Sequence, residues 1–152
     1  MEGSRPASAV FLHANLKILG IEGYGALIDR SCRLVRSFAD KIFASNTAEL
    51  VVNPDTNIFL YRYVPRHLVE HQRAGTLTEA HQVEVDAFNV RLQTEQKARG
   101  ETFVSRTTIW SPRYNRGIVA LRVVIANPLT KESDIQLNVD AQLQIYAEFQ
   151  AK

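Results

Sequence analysis

The spacing of apolar residues changes several times along the chain, and each change marks an element. Over residues 118–126 the period is two. Val119, Leu121, Val123 and Ile125 share one face, while Ile118, Ala120, Arg122, Val124 and Ala126 share the other. This predicts a strand with one apolar face and a lone cation in the middle of its second face. A guanidinium keeps its charge, so Arg122 needs either an anion or water. Asn127-Pro128 ends the strand, because proline donates no ladder hydrogen bond and restricts the residue before it. Thr130 then stands where an N-cap belongs, with Glu132 and Asp134 in the first turn. Ile135, Val139, Leu143, Tyr146 and Phe149 follow at helical spacing.

Earlier in the chain, Ser4-Arg5-Pro6 reads as a helix start and Gly20 as its end. The intervening residues are apolar around most of the circumference, so this helix wants burial on more than one side. A second start at Gly23 and Gly25 leads into a stripe of Tyr24, Leu27, Ile28, Cys32, Val35, Phe38, Ile42 and Phe43. Residues 48–52 and 57–64 flank Asn53-Pro54-Asp55-Thr56, which predicts a hairpin. Phe59, Tyr61 and Tyr63 fall on one face of its second strand and Ile58, Leu60, Arg62 and Val64 on the other. Residues 66–77 read as a loop or short helical turn. Thr76-Leu77-Thr78-Glu79 fits a capping box, opening a helix over residues 79–99 that turns Val85, Phe88 and Leu92 inward and stops at Gly100. Residues 102–110 alternate as a strand, and residues 111–117 form a turn into the strand that carries Arg122.

The elements together predict an α+β fold: an antiparallel sheet of about four strands with helices on one face, preceded by two helices. The three later strands carry Arg62, Arg106 and Arg122, so the sheet side left uncovered wants a partner or a ligand.

Composition adds bounds. A chain of 152 residues suits one domain. Its net charge of +2, with basic and acidic residues interspersed, points away from nucleic acid. The single cysteine, Cys32, precludes an internal disulfide, which makes a reducing cytoplasm the default. No stretch approaches the roughly 20 apolar residues of a membrane span, and the N-terminus lacks a signal-peptide pattern. His67 and His71 have one-turn spacing but no third ligand, so no metal site is expected.

Four segments, in order, carry a resemblance. Gly3-Ser4-Arg5-Pro6-Ala7, Asn57-Ile58-Phe59-Leu60-Tyr61-Arg62-Tyr63, Thr102-Phe103-Val104-Ser105-Arg106-Thr107 and the run from Leu121 to Ile135 are similar to the C-terminal part of the group II pyridoxal-phosphate-dependent amino acid decarboxylases. The resemblance implies the small C-terminal domain of a fold-type I enzyme. Residues 1–22 would be the helix connecting it to a cofactor domain, and residues 23–152 the small domain itself. It also implies a cytoplasmic homodimer whose pyridoxal phosphate sits in the larger, missing domain. The cofactor lysine of this family usually follows a histidine, and none of Lys17, Lys41, Lys97, Lys131 and Lys152 does. No catalytic residue is therefore assigned, and the chain alone is expected to be inactive. By resemblance Arg122, and with it Arg5, would contact a carboxylate of the amino acid substrate. The residues agree for Arg122, since a rigid fork of donors suits a carboxylate. Arg62 and Arg106 read as structural or interface cations. The alternative is a non-catalytic interaction or assembly module left by truncation.

Overall fold

The structure, a computed structural model, describes residues 8–151. Its first element, α1 (Ser8–Ala44), bends at Gly20, where φ is 63° and ψ −174°. A side chain would strain that backbone, so glycine permits the bend. The two expected helices are thus two arms of one element. The chain leaves helical geometry for a single residue, and Gly23 and Gly25 are helical. The second arm buries Leu34, Val35, Phe38, Ala39 and Ile42. The first arm buries none of its described apolar side chains: Phe11 is 73% exposed, Leu12 58% and Ile18 79%.

Four strands follow, β1 (Ala48–Val52), β2 (Ile58–Tyr63), β3 (Ser105–Ser111) and β4 (Arg116–Val124). They form one antiparallel sheet in the order β1-β2-β4-β3. Phe59, Tyr61, Tyr63, Leu121 and Val123 face the core, where they meet Phe38 and Ile42 of α1 and Ile135, Val139, Ile145 and Tyr146 of α4 (Glu132–Gln150). The Phe59 and Tyr61 rings stack at 5.1 Å, and Phe38 meets Phe59 edge-on at 5.6 Å. Each aromatic pair contributes about 0.5–1.5 kcal/mol beyond its area. The α4 N-cap is Lys131 rather than Thr130, because Asp134 Oδ2 reaches back to the Lys131 N–H at 2.9 Å.

Between β2 and β3 lie a 3-10 turn (Arg66–Leu68), α2 (Val69–Ala74) and α3 (Glu79–Arg99). The cap of α3 is Thr78, not Thr76. Thr78 Oγ1 accepts from the His81 N–H, and His81 Nδ1 accepts from the Thr78 N–H. Val85 and Leu92 are buried as expected, but Gln82, Asn89, Gln93 and Gln96 share their face. That face is polar because α3 completes the sheet. Strands β2 and β4 pair as far as Tyr61 and Leu121, beyond which a helix side chain takes the place of a strand partner. Asn89 Nδ2 donates to the Tyr63 carbonyl and its Oδ1 accepts from the Tyr63 N–H, both at 2.8 Å. Asp86 Oδ1 accepts from the Val119 N–H at 2.8 Å. Without these, three backbone groups would stand unpaired at a cost of about 1–3 kcal/mol each.

Candidate functional site

Arg62 and Arg122 share the sheet face opposite the core, because Leu60 is the cross-strand partner of Arg122 and Arg62 lies two residues on. Arg106 does not join them. It pairs with Leu121 on the other face, where its Nη1 donates to the Val90 carbonyl at 3.3 Å and approaches Gln93 Oε1 at 3.4 Å. The arginines of the three strands therefore do not form one patch.

Arg62 is sealed, with 0% of its side chain exposed. Its Nε donates to Glu49 Oε2 at 2.8 Å, Asp86 Oδ1 lies 3.7 Å from its Nη1, and the Tyr114 ring covers it at 4.7 Å. Glu49 also accepts from Arg113 Nη1 at 3.1 Å and from Tyr114 Oη at 2.6 Å. Burial, followed by the hydrogen bond to Glu49, raises the Tyr114 pKa above its ordinary value, so this phenol stays a donor. Arg62 is a structural cation. Glu49 and Arg62 face each other in the first hairpin, but only because a register irregularity between Leu50 and Val52 shifts the pairing, which counting outward from the turn would not reveal.

Arg122 lies in the open. Its Nε donates to Ser105 Oγ at 3.1 Å, and it forms no ion pair among the described residues. It opens onto a cleft of about 420 Å3 whose walls are Phe103, Val104 and Ser105, the end of β4, and Thr130, Asp134 and Asn138 at the start of α4, with Phe38 among its lining residues. That volume falls in the range of small-molecule sites.

Side chains that alternation did not single out fix these walls. Arg30 of α1 donates to the Pro128 carbonyl and, at 2.7 Å, to the Thr130 carbonyl. Ser37 donates to Glu132 Oε2 at 2.8 Å, and Asn57 Nδ2 to the Ile125 carbonyl at 3.0 Å. The opposite wall hangs on amides: Gln96 Nε2 donates to Thr102 Oγ1, Asn138 Nδ2 to the Phe103 carbonyl and Gln93 Nε2 to the Val104 carbonyl. Gln142 extends this network into the core, accepting from Tyr61 Oη at 2.6 Å. A polar stripe on two facing helices was the available sequence signal.

Arg5 lies outside the described residues. His67 pairs with Glu84 at 3.1 Å and the His71 ring meets the tilted His81 ring at 5.1 Å, so the two do not converge. Among the described residues no group of three histidines, cysteines or acids could hold a metal, and no helix is long and apolar enough to cross a membrane. Cys32 is part-buried and lines a separate apolar groove of about 580 Å3 between α1 and the turns at Asp55 and Pro128.

The fold has counterparts among solved structures. Mouse CSAD, in its apo form, superposes with a TM-score of 0.76 over 93% of this chain and 28% of that one, at 19% identity. No protein-family model matches the chain. In sequence it is 31% identical to an aspartate 1-decarboxylase of Aliivibrio fischeri over 90% of its length, and 28% identical to an L-2,4-diaminobutyrate decarboxylase of Acinetobacter baumannii over 97%. The chain spans about a quarter of the length of these curated relatives. The chain matches the C-terminal part of the group II pyridoxal-phosphate-dependent amino acid decarboxylases.

That family implies pyridoxal phosphate, but the residues present here do not fit it. No lysine lines the Arg122 cleft, and none in the chain follows a histidine. What the cleft offers is a free guanidinium and hydrogen-bonding walls, which can bind and orient an anion.

Proposed function

We propose that this chain is the substrate-contacting C-terminal domain of a pyridoxal-phosphate-dependent decarboxylase acting on an acidic or related amino acid, with Arg122 anchoring a substrate carboxylate. One observation carries the reading: of two arginines on one sheet face, Arg62 is neutralised internally and Arg122 faces a cleft without an acidic partner. A cation held on a rigid strand suits bidentate recognition, and such a charge-assisted bond contributes about 1.5–3 kcal/mol. The relatives are named for decarboxylating aspartate and diaminobutyrate, which supports an amino acid substrate. Arg5 is a second proposed contact, on resemblance alone.

In this reading residues 1–22 lead from the larger domain that holds the cofactor, and residues 23–152 form the small domain. The assembled protein is a cytoplasmic homodimer. The cofactor supplies an electron sink for loss of carbon dioxide. This chain binds the substrate and sets its orientation. In the decarboxylase that joins this domain to its cofactor domain, Arg122→Ala should lower kcat/KM roughly ten- to a hundredfold. Cofactor absorbance should be unchanged. Unaltered kinetics would reduce Arg122 to a scaffold residue.

The first arm of α1 favours a second reading, an assembly module. Val10, Phe11, Leu12, Leu16 and Ile18 are all at least half exposed, an apolar surface that calls for cover. The isolated chain should self-associate or bind a hydrophobic dye, and Phe11→Lys with Ile18→Lys should abolish both. A dye-free monomer by sedimentation would remove this reading.

A further inference from the structure

Arg122 and Ser105 are direct cross-strand partners on one face of the β3–β4 pair. Two hydrogen bonds join them: Arg122 Nε to Ser105 Oγ at 3.1 Å, and Ser105 Oγ to the Arg122 carbonyl at 3.0 Å. The roles admit a single assignment. A guanidinium only donates, so Ser105 Oγ accepts from Nε and spends its one proton on the carbonyl. The hydroxyl thus ties the head of the arginine to its own backbone.

We infer that Ser105 is a positioning residue that fixes which edge of the Arg122 guanidinium meets the ligand. A carboxylate can grip a guanidinium side-on, through Nε and one Nη, or end-on, through both Nη atoms. Ser105 occupies Nε and closes the side-on edge. The end-on edge remains, and neither Nη of Arg122 has a hydrogen-bond partner among the described residues. Ser105 is itself held in place, because the segment before it is pinned by Gln96, Asn138 and Gln93. The inference rests on Arg122 as carboxylate anchor and adds the geometry of that grip.

Two measurements test it. In the 15N-labelled chain the Arg122 Nε–H should give a slowly exchanging resonance, kept by Ser105→Thr and lost by Ser105→Ala at unchanged Tm. A resonance indifferent to Ser105→Ala overturns the inference. In the decarboxylase joined to its cofactor domain, Ser105→Ala should raise KM about tenfold, the worth of one charge-assisted bond, with a much smaller fall in kcat. Ser105→Thr should restore KM to within about twofold, as a retained hydroxyl requires. KM raised by Arg122→Ala but not by Ser105→Ala overturns this inference and leaves the anchor standing. KM unchanged in both variants overturns the anchor, and this inference with it.

Discussion

Arg62 and Arg122 occupy one face of one sheet, two residues apart in register, yet one is sealed and the other open. What differs is what the neighbouring elements bring. At the closed end β1 supplies Glu49, α3 supplies Asp86, and the β3–β4 turn lays Tyr114 over the guanidinium. At the open end β1 reaches its last residue, Val52, and β3 is only beginning, so the nearest partner is a hydroxyl. A buried cation without its anion costs several kcal/mol, whereas an exposed one costs nothing and can be kept for a ligand. The comparison teaches that availability, more than residue type, separates a binding arginine from a structural one.

Breaking the closed end should have the largest effect. Arg62→Ala removes the cation facing Glu49 and Asp86 and should destabilise the domain by about 3–5 kcal/mol in urea titration. A loss under about 1 kcal/mol, the worth of a surface pair, would erase the distinction between the two ends. A smaller loss should come with alkali. Desolvation raises the pKa values of Tyr114 at the closed end and of Tyr61, Tyr63 and Tyr146 in the core on the sheet's other face. Because the folded state holds these protons more tightly than the unfolded chain, their contribution is complete below the ordinary tyrosine pKa of about 10 and is lost as pH rises above it. Thermal melts should therefore fall steeply above about pH 10, and less so for Tyr61→Phe, which leaves one fewer proton to lose. A flat profile would mean that the phenols are solvated. The smallest effect is the sharpest contrast: Arg122→Ala should change the stability of the chain by no more than about 0.5 kcal/mol. A large destabilisation would make Arg122 a second structural cation.

Much of the frame was legible in the residues. The limits of β1 and α3, the sheet of four strands, the Gly100 stop and the core faces of β2 and β4 all follow from period and punctuation. The caps slipped, from Thr76 to Thr78 and from Thr130 to Lys131, because several residues near each helix start can accept or donate and the geometry of the turn chooses among them. The polar stripe of α3 was passed over because its apolar residues alone satisfy a helical pattern. Its amides have a purpose only once β2 and β4 diverge. Within the site, Ser105 is one residue of an alternating strand, and its partnership with Arg122 depends on hairpin register. Arg30 lies about a hundred residues from the turn that it clamps, beyond the reach of any local pattern.

By itself the sequence determined which residues form strands and helices, because period, proline and glycine act within a few positions of themselves. It also carried the likeness to the decarboxylases, through four ordered segments that stand out without coordinates. Only the tertiary structure decided which arginine is neutralised and which stays free. That choice depends on Glu49, Asp86 and Tyr114 arriving from three other elements, and an electrostatic environment is a sum over neighbours that chain order does not specify.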